Sequence, residues 1–171
     1  MGDILDSGAR REFNSGAVRD IAEGKGRCDL LPLGVVAIWL DDIVLDNIDN
    51  YVRSGAMYSL INAMSLFCKH NDTDLYTAVL EVSKQYEAGA VKYSDRNWEK
   101  GIPLHCFIDS GVRHYLKFQR GDNDEPHDRA FLWNLLGALW TQENHPELIV
   151  RLLRNIGARD IRLYVHILIL H

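Results

Sequence analysis

The chain has 171 residues, of which 47% are hydrophobic and 25% are charged, the balance of an ordinary globular protein. This composition excludes an intrinsically disordered chain, a collagen-like repeat and a small disulfide scaffold. Nineteen Lys and Arg against 24 Asp and Glu give a net charge of −5, which argues against a general nucleic-acid binder, because phosphate neutralisation requires a positive surface.

The cysteines and the apolar segments predict where the protein acts. Cys28, Cys68 and Cys106 are odd in number and widely spaced, which indicates free thiols rather than disulfides or a zinc site. No apolar run reaches the roughly 18 residues that a membrane helix needs. The first residues lack the apolar stretch of a signal peptide. We therefore expect a cytoplasmic protein that has no membrane partner.

The N-terminal residues 1–29 are polar, interrupted by glycines and rich in cations. Such a segment cannot build a hydrophobic core by itself. We expect an arm that is either a flexible tail or a strap over an anionic surface. Its cations are Arg10, Arg11, Arg19, Lys25 and Arg27.

Residues 30–157 show the apolar periodicity of helices, with intervals of three and four residues. Turn residues separate the helical segments, among them Ser54-Gly55 and the stretch 121–126. The predicted helices cover residues 33–52, 57–69, 75–91, 104–120, 127–142 and 146–155. We therefore predict an all-α fold, a compact bundle of about five to six helices.

The C-terminal tail, residues 158–171, has a different pattern. Apolar residues alternate with other residues from Ile161 to Ile169, which is typical of a β-strand. A single strand leaves its backbone groups unpaired, so this one would have to pair with the arm or with another subunit.

Charged side chains line one face of the fourth predicted helix. Asp109, Arg113, Lys117 and Arg120 follow one another at helical spacing, and His114 lies beside them. Arginine offers two parallel donors to a phosphate and lysine a compact positive charge. The stripe therefore predicts a phosphate site. The alternative is a solvated helix face with an Asp109–Arg113 ion pair.

The loop after this helix is rich in acidic residues. Asp122, Asp124, Glu125, His127 and Asp128 lie within seven residues. Carboxylate oxygens are the ligands that Mg²⁺ prefers, and they also suit Mn²⁺. Acidic residues are also favoured at a helix N-terminus for electrostatic reasons. Together with the basic stripe, however, the loop predicts a site for a triphosphate and a divalent ion.

The dipeptide His127-Asp128 allows a second interpretation. Some all-α metal hydrolases bind a metal through a histidine, a His-Asp dipeptide and a later aspartate. In this chain the first ligand would be His105 or His114 and the last Asp160.

The polar loop 92–102 and the fifth helix contain groups that could bind a nucleobase. The Trp98 ring could stack on a base, and the Asn97 amide could read its edge. Alternatively, Trp98 fills the core and Asn97 caps a turn. A buried Asn134 on the fifth helix would need a hydrogen-bond partner, which could be structural or a substrate.

Several short motifs together resemble one protein family. They are Gly8-Ala9-Arg10-Arg11-Glu12-Phe13, Gly24-Lys25-Gly26-Arg27, Glu87-x-Gly89-Ala90, Asn97-Trp98-x-Lys100-Gly101, Arg113-His114, Gly121-Asp122 and Trp133-Asn134. Over about residues 8–150 the chain resembles the N-terminal domain of phage and prophage dATP/dGTP diphosphohydrolases, relatives of MazG-like nucleotide pyrophosphohydrolases. The resemblance implies cleavage of a purine deoxynucleoside triphosphate to the monophosphate and pyrophosphate, with a divalent metal.

On this enzyme hypothesis each candidate residue has an expected role. His114 and His127 would be catalytic and would orient or deprotonate the attacking water. The expected ligands of Mg²⁺ or Mn²⁺ are Glu87, Asp124, Glu125 and Asp128. The expected nucleotide-binding residues are Lys25, Arg27, Lys92, Asn97, Trp98, Arg113, Lys117 and Asn134.

Two other hypotheses are open from the sequence. The same pocket could sequester a signalling nucleotide without cleaving it, as an anti-defence protein of a phage would. A purely structural domain could assemble through its terminal strand. In each case we expect a homo-oligomer, and in the first two cases the partner is a nucleotide or another small phosphorylated ligand.

Overall fold

Six α-helices dominate the computed structural model, which describes residues 8–149. The prediction of an all-α bundle is therefore confirmed. Short 3₁₀ turns at Cys28–Leu30, Asn97–Lys100 and Pro146–Leu148 connect or follow the helices. The helices are α1 (Leu33–Leu40), α2 (Ile43–Ser54), α3 (Met57–His70), α4 (Leu75–Tyr93), α5 (Leu104–Arg120) and α6 (His127–Asn144).

The first predicted helix, residues 33–52, is wrong in its extent. Asp41 has a φ of 52°, in the left-handed region, and this residue ends α1. The Asp42 carboxylate accepts hydrogen bonds from the backbone N–H groups of Val44 and Leu45, at 2.9 and 3.0 Å, and so caps α2. The Asp-Asp pair thus ends one helix and begins the next, although the apolar periodicity continues across it.

Replacing Asp42 with alanine is expected to destabilise the protein by about 1–2 kcal/mol, because the cap of α2 is lost. The Asp42 carboxylate also accepts a hydrogen bond from the Tyr115 hydroxyl at 2.6 Å. Urea denaturation measures the change. Asp42→Asn retains a capping oxygen and is expected to lose less stability. Equal losses for the two variants would contradict the capping role.

Helices α5 and α6 form a closely packed pair in the core. The Phe107 ring of α5 lies against Gly137 of α6, where an added Cβ would lie 2.3 Å from the ring atom Cε1. On the same helix pair, the Phe131 ring lies 5.2 Å from that of Tyr115 and 4.8 Å from that of Phe67 on α3. The close approach of α5 and α6 brings His114 and His127 together.

The N-terminal arm contains a β-hairpin that the sequence analysis missed. Strands β1 (Arg10–Glu12) and β2 (Val18–Asp20) pair antiparallel around a turn at Gly16, whose φ is 79°. Ala17 is fully buried. Gly16, in a short loop between two extended segments, was the feature of the sequence that could have predicted this hairpin.

The arm lies across α5, so the strap alternative describes it and the flexible-tail alternative is wrong for the described part. The backbone N–H of Cys28 donates to the Asp109 carboxylate at 2.7 Å. The Arg113 guanidinium donates to the backbone oxygen of Lys25 at 3.2 Å. The arm therefore meets the charged face of α5 through backbone groups, whereas its cations Arg10 and Arg27 pair with Asp20 and Asp29 of the arm itself.

Two predictions fall wholly or partly outside the described residues. The sixth predicted helix, 146–155, begins as the 3₁₀ turn Pro146–Leu148, and its remainder from residue 150 lies outside. The predicted strand of the tail 158–171 also lies outside. The division of the chain at residues 29 and 157 stays a prediction. Within residues 8–149, no helix has the length and apolar character needed to span a bilayer.

Candidate functional site

A cavity of about 1020 Å³ opens between the hairpin, α4, α5 and α6. This volume is at the upper end of the range for small-molecule sites, roughly 300–1,000 Å³, and it suffices for a nucleotide. The cavity is lined by apolar and aromatic residues together with both cationic and acidic side chains. The predicted residues that line it are Lys25, Glu87, Asn97, Trp98, Arg113, His114, Lys117, Glu125 and Asn134.

The cationic stripe of α5 is largely neutralised by carboxylates. Arg113 forms an ion pair with Asp109, as the alternative interpretation of the stripe predicted. Lys117 Nζ lies 2.8 Å from an oxygen of Asp124. Arg120 pairs with Asp122 and does not line the cavity. The stripe therefore reaches the cavity through Arg113 and Lys117, and each of these carries an acidic partner.

Arg19 of β2 is a cavity cation that the sequence indicated only as one of the cations of the arm and not as a site residue. Its guanidinium donates to the Asn134 side-chain oxygen at 3.1 Å and to the Ser110 hydroxyl at 3.2 Å. It also lies over the rings of Phe107 and Trp133, at 5.3 and 5.4 Å from their centroids.

Within residues 8–149 no carboxylate forms a salt bridge with Arg19. Burial lowers the pKa of Arg19 from its usual value, but an arginine side chain stays charged near neutral pH. A partly buried positive charge without a carboxylate partner therefore faces the cavity. Such a charge favours an anionic ligand, because burying a cation without a counter-charge costs free energy.

Two histidines meet at the wall of the cavity. His114 Nδ1 lies 2.9 Å from His127 Nδ1, and His127 Nε2 lies 2.8 Å from Asp124 Oδ1. Because a carboxylate accepts, His127 donates through Nε2–H, and its Nδ1 then accepts from His114 Nδ1–H. Glu125 Oε1 lies 3.6 Å from His114 Nδ1 and 3.7 Å from His127 Nδ1.

The surroundings of His114 and Asp124 shift the pKa of each of these two groups. Burial, followed by the neighbouring His127 and Arg113, lowers the pKa of His114 to about 3. The His114 ring is therefore neutral near physiological pH. Hydrogen bonds from Lys117 and His127 lower the pKa of Asp124 to about 2, so this carboxylate is ionised and both of its oxygens have partners.

The predicted metal ligands do not all come together. Asp124 and Glu125 lie beside the histidines, whereas Glu87 lines the cavity from α4. Within residues 8–149, two groups of side chains have donor atoms close enough to share a metal ion, and Asp128 belongs to neither. Nor does His105, which lines a second cavity of about 470 Å³. The groups are His114, Glu125 and His127, and Asp122, Asp124 and His127.

The predicted base-binding residues Asn97 and Trp98 also have structural partners. The Asn97 amide donates to the backbone oxygen of Val18 at 2.8 Å and accepts from its N–H at 2.9 Å. The Trp98 ring packs edge-on against Tyr86 and Trp140. The core-filling role offered as the alternative for Trp98 is thus present. Asn97 holds the hairpin rather than capping a turn.

Two of the predicted nucleotide-binding cations, Lys92 and Arg27, are absent from the lining of the large cavity. The Lys92 side chain is 7% exposed, and its Nζ lies 2.7 Å from the Asp20 carboxylate, which also accepts from the Tyr93 hydroxyl. Arg27 pairs with Asp29 and lines the smaller cavity. The carboxylates that pair with these two cations, Asp20 and Asp29, both belong to the arm.

A family model described as the N-terminal domain of dATP/dGTP diphosphohydrolases matches residues 62–151, just over half of the chain. The chain belongs to this family. The matched segment includes the cluster of His114, Glu125 and His127. Arg19, by contrast, precedes the matched segment. No curated protein and no solved structure matches the chain.

Proposed function

We propose that this family member binds a purine deoxynucleoside triphosphate in the large cavity and hydrolyses it to the monophosphate and pyrophosphate. The observation that carries the proposal is the convergence on one nucleotide-sized cavity of Arg19, which has no carboxylate partner within residues 8–149, and the His114–His127 pair. Family membership supports the choice of substrate.

In this proposal the phosphates bind at the cationic part of the cavity. Arg19 and Lys25 line it, and Arg113 and Lys117 reach it from α5. Arg113 and Lys117 would contact phosphate in place of, or in addition to, their acidic partners. Because Arg19 has no such partner among the described residues, its charge is available to attract an anion.

The base would lie near Asn97 and Trp98, with Asn134 nearer to Arg19. Asn97 uses one amide hydrogen and one lone pair on Val18. An amide group has a second hydrogen and a second lone pair, so the structural role of Asn97 leaves donor and acceptor capacity for a base edge.

Hydrolysis would proceed by attack of a water molecule on the α-phosphorus, with cleavage of its bond to the oxygen that bridges the α- and β-phosphates. Pyrophosphate and a proton then leave, and the deoxynucleoside monophosphate remains. A neutral His114 is a weak base, so we assign it the orientation of the water rather than its deprotonation. His127 holds the His114 ring in position.

A divalent ion accompanies a triphosphate in such reactions and neutralises charge that develops on its oxygens. Glu87 is a cavity carboxylate that would hold Mg²⁺ or Mn²⁺ carried by the substrate. Asp124 is less suited, because its oxygens already accept from Lys117 and His127. Asp128 and Arg27 keep no role in this proposal.

The decisive experiment is incubation of the protein with each deoxynucleoside triphosphate and Mg²⁺, followed by ion-exchange chromatography. We expect dAMP or dGMP and pyrophosphate in equal amounts, and no product with a His114→Ala variant prepared in the same way. Recovery of intact nucleotide from the denatured protein, without product, would contradict hydrolysis and would instead support a sequestering protein.

We also propose that the protein is a cytoplasmic homo-oligomer without a nucleic-acid partner. Free thiols suit the reducing cytoplasm, where deoxynucleotides are found. Helix α1 supports self-association, because its apolar side chains Val35, Ile38 and Trp39 are 65%, 82% and 81% exposed. Exposed apolar patches of this kind mark contact surfaces between proteins.

Replacing Trp39 with glutamate is therefore expected to convert the oligomer to a monomer, because a charge would be buried in an apolar interface. Light scattering coupled to size-exclusion chromatography measures the mass. Tyr76→Glu, which changes an 86% exposed aromatic residue on α4, serves as the comparison. An unchanged mass for Trp39→Glu would rule out α1 as the interface.

A further inference from the structure

Three donor atoms from different parts of the chain converge at the wall of the cavity. His114 comes from α5, His127 from the first turn of α6, and Glu125 from the loop between them. Their facing atoms, two Nδ1 and one Oε1, are separated by 2.9, 3.6 and 3.7 Å. The side chain of His127 is 1% exposed, and those of His114 and Glu125 are 16% and 14% exposed. The cluster is therefore shielded from solvent on the side of His127.

These separations are close to those of ligands on one metal ion. With bonds of about 2.0–2.2 Å, two donor atoms on a tetrahedral or octahedral ion lie about 2.8–3.6 Å apart. The observed distances of 2.9 and 3.6 Å lie within this range, and the distance of 3.7 Å exceeds it by about 0.1 Å. A small closure of Glu125 toward the two rings would complete the arrangement.

The donor types select the metal. Two imidazole nitrogens and one carboxylate suit Mn²⁺, Fe²⁺ or Zn²⁺, whereas Mg²⁺ prefers oxygen ligands and keeps several waters.

Asp124, next to the cluster, lies where a carboxylate that supports a metal-binding histidine would lie. Metal-binding histidines usually donate their second ring N–H to a carboxylate, which fixes the ring. His127 Nε2 lies 2.8 Å from Asp124 Oδ1, and Lys117 holds the other Asp124 oxygen at 2.8 Å. This chain of contacts orients the His127 Nδ1 lone pair toward the proposed ion.

The second group of potential ligands is less suited to a metal. Asp122 and Asp124 are already neutralised by Arg120 and Lys117. His127 would have to use the nitrogen that now faces Asp124. A metal there would displace two ion pairs, whereas between His114, Glu125 and His127 it would replace the contact between the two histidine rings.

We propose that His114, Glu125 and His127 form a resident transition-metal site, whose remaining coordination positions face the nucleotide cavity. His114 and Glu125 line that cavity, while His127 closes the site from the protein interior. The site is distinct from the Mg²⁺ that a triphosphate carries. Its existence does not depend on the identity of the substrate or on hydrolysis.

The test is metal binding by the full chain, freed of metal with a chelator and studied without nucleotide. Isothermal titration with Mn²⁺, Zn²⁺ and Mg²⁺ is expected to show about one Mn²⁺ or Zn²⁺ per chain and far weaker Mg²⁺ binding. His114→Ala and Glu125→Gln should each lower the affinity by roughly 100-fold or more, and Asp124→Asn by about 10- to 100-fold.

The matched controls are Asp122→Asn, from the competing group, and His70→Ala, an exposed histidine at the end of α3. Both should bind the metal as the unchanged protein does. Loss of binding in Asp122→Asn with retention in Glu125→Gln would move the site to the other group and overturn the proposal. Failure of Mn²⁺ and Zn²⁺ to bind, or equal binding of Mg²⁺, would also overturn it. Circular dichroism verifies that each variant is folded.

Discussion

Replacing Arg19 with methionine is expected to weaken the binding of dATP or dGTP by about 10- to 100-fold, because a hydrogen bond to a charged group contributes roughly 1.5–3 kcal/mol. Arg19 has no carboxylate partner within residues 8–149, and its charge faces the cavity. A bound phosphate would therefore provide the missing counter-charge. Fluorescence or calorimetric titration with the nucleotide measures the change.

The controls separate charge from packing. Arg19 also packs on Phe107 and Trp133 and holds the Asn134 amide, so the methionine variant retains apolar bulk but loses the charge. Arg19→Lys retains the charge and should keep part of the affinity. Arg53→Met removes an exposed cation of α2 that pairs with Asp49 and should have no effect. Equal affinity for the Arg19→Met variant and the unchanged protein would refute the phosphate role.

Replacing Gly137 with alanine is expected to destabilise the protein by about 1–3 kcal/mol, the usual cost of an overpacked core. The new Cβ would lie 2.3 Å from Phe107 Cε1, closer than real Cβ contacts occur. Helices α5 and α6 would have to separate, which would also move His114 away from His127. Chemical denaturation measures the stability, and the metal titration described above reports the histidine pair.

A double variant tests whether Phe107 causes this loss. Phe107→Leu removes the ring that blocks the alanine, so the combined loss should be smaller than the sum of the two single losses. Gly89→Ala is the matched control, because nothing lies within 4 Å of its Cβ position. In a helix such as α4 it should be neutral or stabilising. Additive losses in the double variant would contradict the proposed contact.

Several helix boundaries could be read from the sequence with little error. The predicted segment 104–120 coincides with α5, and 57–69 differs from α3 by one residue. Pro103 and Gly121 border α5 on the two sides, and Gly55 follows α2 with a φ of 71°. These signals are local, since each depends on the backbone preferences of one or two residues.

The arm and the first helix show where local signals were misread. A polar segment suggested no regular structure, although its turn around Gly16 allowed a hairpin. The Asp41-Asp42 pair splits the predicted helix 33–52, because one aspartate adopts a left-handed backbone and the next caps a helix. Both features were visible in the sequence, but the apolar periodicity favoured a continuous helix and does not register capping.

The candidate site, like the fold, could be predicted only in part from the sequence. The residue types of the cluster, with its two histidines and its acidic loop, were evident from the chain alone. That His114 and His127 face each other at 2.9 Å was not, because they belong to different helices. Spacing predicted the Asp109–Arg113 pair as one alternative, but it did not show that Lys117 and Arg120 also have acidic partners.

The sequence by itself determined the family, the all-α class and most helix ends, since these follow from residue type and short-range periodicity. Only the tertiary structure decided that Arg19, 115 positions before Asn134, lies in the same cavity without a carboxylate partner among residues 8–149. It also decided that Asn97 holds the hairpin strand at Val18. Such contacts depend on which faces of distant elements pack together. The local residue pattern of one helix or strand does not specify which element packs against it in the core.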